Sequence, residues 1–218
     1  MKFYHKTWFI FMMVILSTGL VFAVVFLTDI TTRLQLLSGG RDKSNREPGG
    51  AESLLGFSAL APALGNLDSR VKIIGFFDFQ CPFSAEEAAI LEQVKAKYGT
   101  RIYLQFRHFP IKNGSREISE ASMCANEQGK FWAYHDLLFA NQINQSEMIK
   151  PLAKEAGLDE AVFADCVKSR RFRDQVQEDF DSAIKLQVLA TPTFFINGHK
   201  VQGVIPLEAW EKIIKEYE

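Results

Sequence analysis

The chain has 218 residues, with 25 Lys+Arg against 26 Asp+Glu and a formal net charge of −1. That balance excludes a basic nucleic-acid footprint and an acidic solvating tail, and no internal repeat marks a solenoid or propeller. The first element is the uncharged run WFIFMMVILSTGLVFAVVFL, residues 8–27. At helical rise it spans about 30 Å, the thickness of a bilayer core. A signal-peptide apolar core is shorter, and no small-x-small cleavage site follows, so the run predicts an uncleaved anchor. A cleaved signal peptide is the alternative, and both export the folded part. Lys2 and Lys6 precede the run and Asp29 is the first charge after it. The positive-inside rule puts the N-terminus in the cytoplasm and the rest of this single-pass chain outside the cell membrane. Residues 38–50 (SGGRDKSNREPGG) read as a linker. The domains are therefore 1–28, a cytoplasmic stub and anchor; 29–66, a linker; and 67–218, one folded domain long enough for its own core.

Residues 71–79 (VKIIGFFDF) form a nearly continuous apolar run that suits a strand buried on both faces. Residues 84–98 predict a helix with a weak apolar side at Ala88, Leu91, Val94 and Ala96, stopped by Gly99. Residues 101–109 alternate and predict a second strand, so strand, helix and strand make a parallel crossover unit. Helices are predicted over 118–127, 130–141 and 147–156, then one capped by Asp159, then one carrying Phe172, Val176, Phe180 and Ile184. Strand character returns at TFFI, residues 193–196. Asn197-Gly198 signals a hairpin, 199–204 answer it, and Pro206 opens a last helix through Trp210 and Ile214. The order β-α-β, helices, β-β-α is a thioredoxin-like α/β fold with a helical subdomain inserted over about 112–187, preceded by the N-terminal transmembrane helix.

Three cysteines, Cys81, Cys124 and Cys166, are present. In an exported domain three means one pair and one left over. Cys81 lies where the first strand gives way to a helix, and Pro82 suits the first helical turn. The orphan amides and dipole of a helix start favour an anion, and a thiolate is the nucleophile. A buried, inert cysteine beside a helix start is the plainer reading. A two-cysteine redox site has its second cysteine three places on, where this chain has Ser84. A serine cannot form the internal disulfide that a self-contained oxidase needs, but its hydroxyl can donate to the Cys81 sulfur. His108 and His135 read as structural histidines, and Trp132 and Trp210 as packing residues. No His/Cys spacing resembles a zinc site, so neither metal nor cofactor is expected.

The pieces FQCPFS (79–84), FRHFP (106–110), CANEQGKFWAYHDLLF (124–139) and ATPTFFINGH (190–199) together resemble the DsbA-like thiol-disulfide oxidoreductases over about residues 67–218. The resemblance implies that Cys81 is the nucleophilic thiol and that Thr191 and a cis-Pro192 face it. Pro82 and Phe83 join Thr191 and Pro192 as candidate substrate-binding residues. Some relatives carry a second disulfide in the helical part, so Cys124 and Cys166 are expected to pair; two separate buried thiols are the alternative. Two departures stand out: Ser84 replaces the resolving cysteine, and Gly75 stands where many relatives bury a glutamate. Asp78 is three places off and takes no such role. The expectation is a monothiol exchange enzyme acting on exported proteins with cysteines or on small thiols, with a membrane redox partner possible and no nucleic acid. A redox-inactive peptide-binding or chaperone-like module is the alternative. A kappa-type glutathione transferase has serine at position 81 and no anchor, and a serine engineered at 84 is disfavoured by the intact anchor.

Overall fold

The computed structural model of the chain describes residues 56–142 and 146–217. The expected anchor at 8–27 and most of the linker lie outside the described residues. Among the described residues no helix is long and apolar enough to cross a membrane.

Five strands form one sheet, β1 (Ala63–Gly65), β2 (Val71–Phe77), β3 (Ile102–His108), β4 (Thr193–Ile196) and β5 (His199–Gln202), in the order β1-β3-β2-β4-β5. Strands β2 and β3 are parallel and joined by helix α1 (Pro82–Tyr98); every other pairing is antiparallel. Between β3 and β4 stand α2 (Ser115–Glu127), α3 (Phe131–Ala140), α4 (Ile149–Glu155), α5 (Glu160–Lys168) and α6 (Arg173–Lys185), and α7 (Leu207–Tyr217) closes the chain. This is the thioredoxin-like α/β arrangement with a helical insertion.

Alternation along β2 divides the core. Val71, Ile73 and Phe77 face the larger cluster, with Val94 of α1, Trp210 and Ile214 of α7, and the insertion helices. Ile74 and Phe76 face the other side, where Ala183 of α6 packs with Phe109, Val188 and Phe195. Both faces of β2 are thus covered, which is why it reads as an unbroken apolar run. Helix α6 is further held by a buried ion pair between Arg107 of β3 and Asp179, whose second oxygen accepts from the His108 N–H at 2.9 Å.

Several boundaries move, each for a local reason. Strand β2 ends at Phe77, because Asp78 turns the chain: its carbonyl accepts from the Cys81 N–H and its carboxylate from the Gln80 N–H. Helix α1 begins two residues before the predicted start, since Pro82 occupies its first position. Its buried face also differs. Ser84, Glu87, Ala88, Val94 and Tyr98 point inward, whereas Ala96 is exposed. Residues 63–65, assigned from the sequence to the linker, form edge strand β1 against β3. Three residues carry too little alternation to be read, and the strand exists because the edge of β3 can pair with it. It ends at Gly65, with φ +87, where a Cβ would lie 2.0 Å from the Ile102 carbonyl oxygen.

Cys124 of α2 and Cys166 of α5 form a disulfide across a sequence separation of 42, with a Cα–Cα distance of 5.9 Å. It pins α2 to α5 within the insertion. In the chain-entropy model, closing that loop contributes about 4 kcal/mol. The double substitution Cys124→Ala, Cys166→Ala is therefore expected to lower the unfolding free energy by up to about 4 kcal/mol. Urea denaturation followed by tryptophan fluorescence reads the loss; an unchanged midpoint would count against it.

Candidate functional site

The site is built on the turn from β2 to α1. Asp78 is fully buried, and its carboxylate collects four hydrogen bonds. Oδ1 accepts from the Gln80 N–H at 2.9 Å; Oδ2 accepts from the N–H groups of Ile111 and Lys112, each at 2.9 Å, and from the Ser115 hydroxyl at 3.1 Å. One side chain thus fixes both the turn before the cysteine and the loop that leads into the insertion. Charge-assisted bonds to backbone amides are the strong kind, and here they replace the water a buried carboxylate would otherwise need. The sequence reading gave Asp78 no role. The signal that could have found it is local: an aspartate two residues before a turn amide is an Asx turn.

Cys81 is the N-cap of α1, with extended backbone at φ −86 and ψ 120. The first turn contains no acidic residue and no side-chain cap. Its free amides and the positive end of the helix are left to the sulfur and to whatever binds it. The thiol is 7% exposed, so it is nearly but not wholly enclosed. Its Sγ donates to the Thr191 carbonyl oxygen at 3.3 Å, across 110 residues of sequence. The Thr191–Pro192 peptide bond is cis. Thr191 is buried, and its hydroxyl has no hydrogen-bond partner. Cys81 is the free cysteine; the other two are bonded to each other.

Ser84 departs from expectation. It is fully buried one turn into α1, and its Oγ accepts from the Asp78 N–H at 3.4 Å rather than bonding the Cys81 sulfur. The hydroxyl braces the turn from below. Pro82 and Phe83 are exposed, Phe83 at 60%. Leu189 and Ile111, also largely exposed, lie on the loops that carry Thr191 and that bond Asp78.

Gly75 pairs with Phe106 on one side and Phe194 on the other. A Cβ built there would meet the Phe77 ring at 2.5 Å and the Phe194 ring at 3.0 Å. The space a glutamate would take is filled with aromatic rings. A buried glutamate does occur in this chain, on α1 at Glu87. Its Oε1 accepts from the indole N–H of Trp210 and its Oε2 from the Ile205 N–H, each at 2.7 Å. Burial raises its pKa from 4.5 to about 7; the two hydrogen bonds act against that, and Glu86 adds to it. Trp210 is accordingly more than a packing residue.

His108 is fully buried, and both ring nitrogens lack partners. Burial, then the charge of Arg107, lowers its pKa to about 3, so the ring is neutral. His135 is also buried and lowered by burial, with Nδ1 2.8 Å from Asp136 Oδ1. Both rings sit among Phe79, Phe106 and Phe131, as core histidines. No group of side chains able to hold a metal ion occurs among the described residues.

A cysteine at a helix start, set against a cis-proline on a thioredoxin-like sheet, defines a thiol site of the thioredoxin class. The comparisons agree with that class. The family model described as "Thioredoxin" matches residues 59–216, and the chain belongs to that family. Its fold is the DsbA-like one, a thioredoxin core with a helical insertion. It resembles a thioredoxin-like oxidoreductase from Silicibacter pomeroyi DSS-3, with a TM-score of 0.66, 24% identity and coverage of 79% of this chain and 97% of that one. It also resembles the thiol-disulfide exchange protein alpha-DsbA2 from Wolbachia pipientis, with a TM-score of 0.69, 20% identity and coverage of 81% and 100%. Among curated relatives, Na(+)/H(+) antiporter NhaA 3 of Salinispora tropica is 30% identical over 150 residues, 66% of this chain. The match spans only 23% of that relative's length.

Two outcomes follow from the buried carboxylates. Asp78→Asn replaces one acceptor oxygen by a donor and leaves buried amides unpaired, so it is expected to cost about 2–4 kcal/mol of stability, read by urea unfolding. For Glu87, the native pKa of about 7 lies above the unfolded 4.5. The folded state therefore holds a proton that the unfolded state releases. The contribution is complete below pH 4.5 and is lost as pH rises through about 7. It amounts to about 3 kcal/mol. Between pH 4.5 and about pH 7, Glu87→Gln is expected to flatten this fall in stability; identical pH profiles for the two proteins would refute it.

Proposed function

We propose that the chain is a membrane-tethered thiol-disulfide exchange enzyme that works outside the cytoplasm through a single thiol, Cys81. The observation that carries this reading is the state of the three cysteines. Two are locked in a disulfide in the insertion, and the third stands at the helix start against Thr191 with a serine, not a thiol, three residues on. The chain therefore holds no thiol able to resolve a mixed disulfide at Cys81.

The chemistry is an exchange with no net oxidation. The Cys81 thiolate attacks one sulfur of a substrate disulfide R–S–S–R′. That S–S bond breaks, R′–S⁻ leaves with the electron pair and takes up a proton, and Cys81–S–S–R forms. A second thiol, R″–SH, loses its proton and attacks the R sulfur, releasing Cys81 thiolate and R–S–S–R″. The second thiol is another cysteine of the same substrate, a small thiol, or a membrane redox partner. Exposed Phe83, Ile111 and Leu189 around the site favour exported polypeptides as substrates.

The uncharged run at 8–27, with Lys2 and Lys6 before it, supports the anchor and its orientation. The match to part of a longer chain named as an antiporter, an integral membrane activity, is consistent with work at a membrane. The domain limits 1–28, 29–66 and 67–218 belong to the same proposal, with the inner limit extended upstream to take in β1.

A binding module that uses the same face without turnover is the second reading, favoured by the low exposure of the Cys81 sulfur. Trapping in cells separates the two. Mixed disulfides that dithiothreitol releases and that Cys81→Ala abolishes are expected from the exchange enzyme, and their absence would favour the module. In addition, Ser84→Cys, oxidised with diamide, is expected to oxidise a reduced dithiol peptide stoichiometrically where the parent chain cannot.

A further inference from the structure

Beside the reactive cysteine lies a groove that the exchange step does not use. It begins at Pro82, the residue bonded to Cys81, and runs between α1 and α3 with a volume of about 360 Å³. Its floor is apolar: Ala88 and Phe139 line it and are themselves 7% and 4% exposed. Its rim carries Glu86 and Glu92 from α1 and Asp136 from α3, and no basic residue lines it.

The three carboxylates are not equivalent. Glu86 has no ion pair among the described residues and is exposed. Glu92 shares its charge with exposed Lys95 at 2.8 Å, a contact of little worth in water. Asp136 meets the His135 ring at 2.8 Å, and burial disfavours the charged form of that imidazole. The groove therefore presents net negative charge over an apolar floor, starting one residue from the attacking sulfur.

We infer that this groove seats the residues flanking the substrate's cysteine and selects polypeptides that carry lysine or arginine there. The inference rests on the exchange reading at Cys81 and adds the substrate class. The match is chemical: a long cationic side chain lays its methylenes on an apolar floor and keeps its charged head at the rim. Carboxylates there speed encounter with a cationic partner and disfavour an acidic one. An acidic flanking segment meets like charge along the whole groove.

The test uses the full chain in neutral detergent and three peptides that differ only in lysine, serine or glutamate beside one cysteine. That cysteine is blocked as a mixed disulfide with thionitrobenzoate. Cys81 attacks the peptide sulfur, the peptide–S–S–thionitrobenzoate bond breaks, and thionitrobenzoate leaves with the electron pair as its absorbance appears. Each rate is divided by the rate of the same peptide with free N-acetylcysteine, which removes the peptide's own reactivity. The lysine peptide is expected to react about fivefold faster than the glutamate peptide at low salt, and the ratio to fall toward one at high salt. In Glu86→Lys, Asp136→Lys the order is expected to reverse. Equal rates for the three peptides with the parent chain overturn the groove assignment and leave the exchange reading intact. No release from any peptide overturns the exchange reading itself, and the groove's role falls with it.

Discussion

The site depends on one buried carboxylate. Asp78 holds the Gln80 amide on one oxygen and Ile111, Lys112 and Ser115 on the other. Its backbone adds two more bonds, accepting from the Cys81 N–H and donating to the Ser84 hydroxyl. The end of β2, the start of α1 and the first turn of the insertion are thereby locked to a single residue. A carboxylate in that position is tolerated because both of its oxygens accept hydrogen bonds, three of the four from backbone amides.

Around this brace the chain has rearranged its polar interior. The strand position where relatives bury an acid is a glycine enclosed by Phe77 and Phe194, and no side chain fits there. Glu87 is buried instead, between α1, the chain leaving β5 and the indole of Trp210. Ser84, in the place of a second thiol, faces the Asp78 amide. Glu87 and Ser84 are both spent on holding the framework together, through Trp210, Ile205 and the Asp78 amide. The described site holds one free thiol, Cys81, and its neighbours are tied into the framework.

The surroundings of Cys81 divide into two kinds of surface. Phe83, Ile111 and Leu189 are apolar and exposed, suited to any unfolded chain. The groove from Pro82 is bordered by the carboxylates of Glu86, Glu92 and Asp136, the basis of the proposed selection by charge. The buried pair of Arg107 and Asp179 and the disulfide between α2 and α5 hold the insertion that supplies the groove's far wall.

Much of this was legible in the residues. The apolar runs at 71–79 and 193–196, the Asn197-Gly198 turn and the helical spacings of the insertion gave the element order, because periodicity and turn chemistry are local properties. The spaced set around Cys81 and Pro192 pointed to the thiol site through its resemblance to the DsbA-like family. The strand at 63–65, the inward turn of Glu87 and the bonding of Ser84 were not legible. The first two are decided by partners far along the chain, the free edge of β3 and the indole of Trp210; the third is decided by the β2–α1 turn, which folds the Asp78 amide onto Ser84 while Ile111, Lys112 and Ser115 hold the Asp78 carboxylate. What the sequence determined by itself was which segments are strands and helices and which cysteine stands at a helix start. Only the tertiary structure decided which polar groups are buried and what satisfies them, because desolvation and its compensation depend on neighbours that folding brings together.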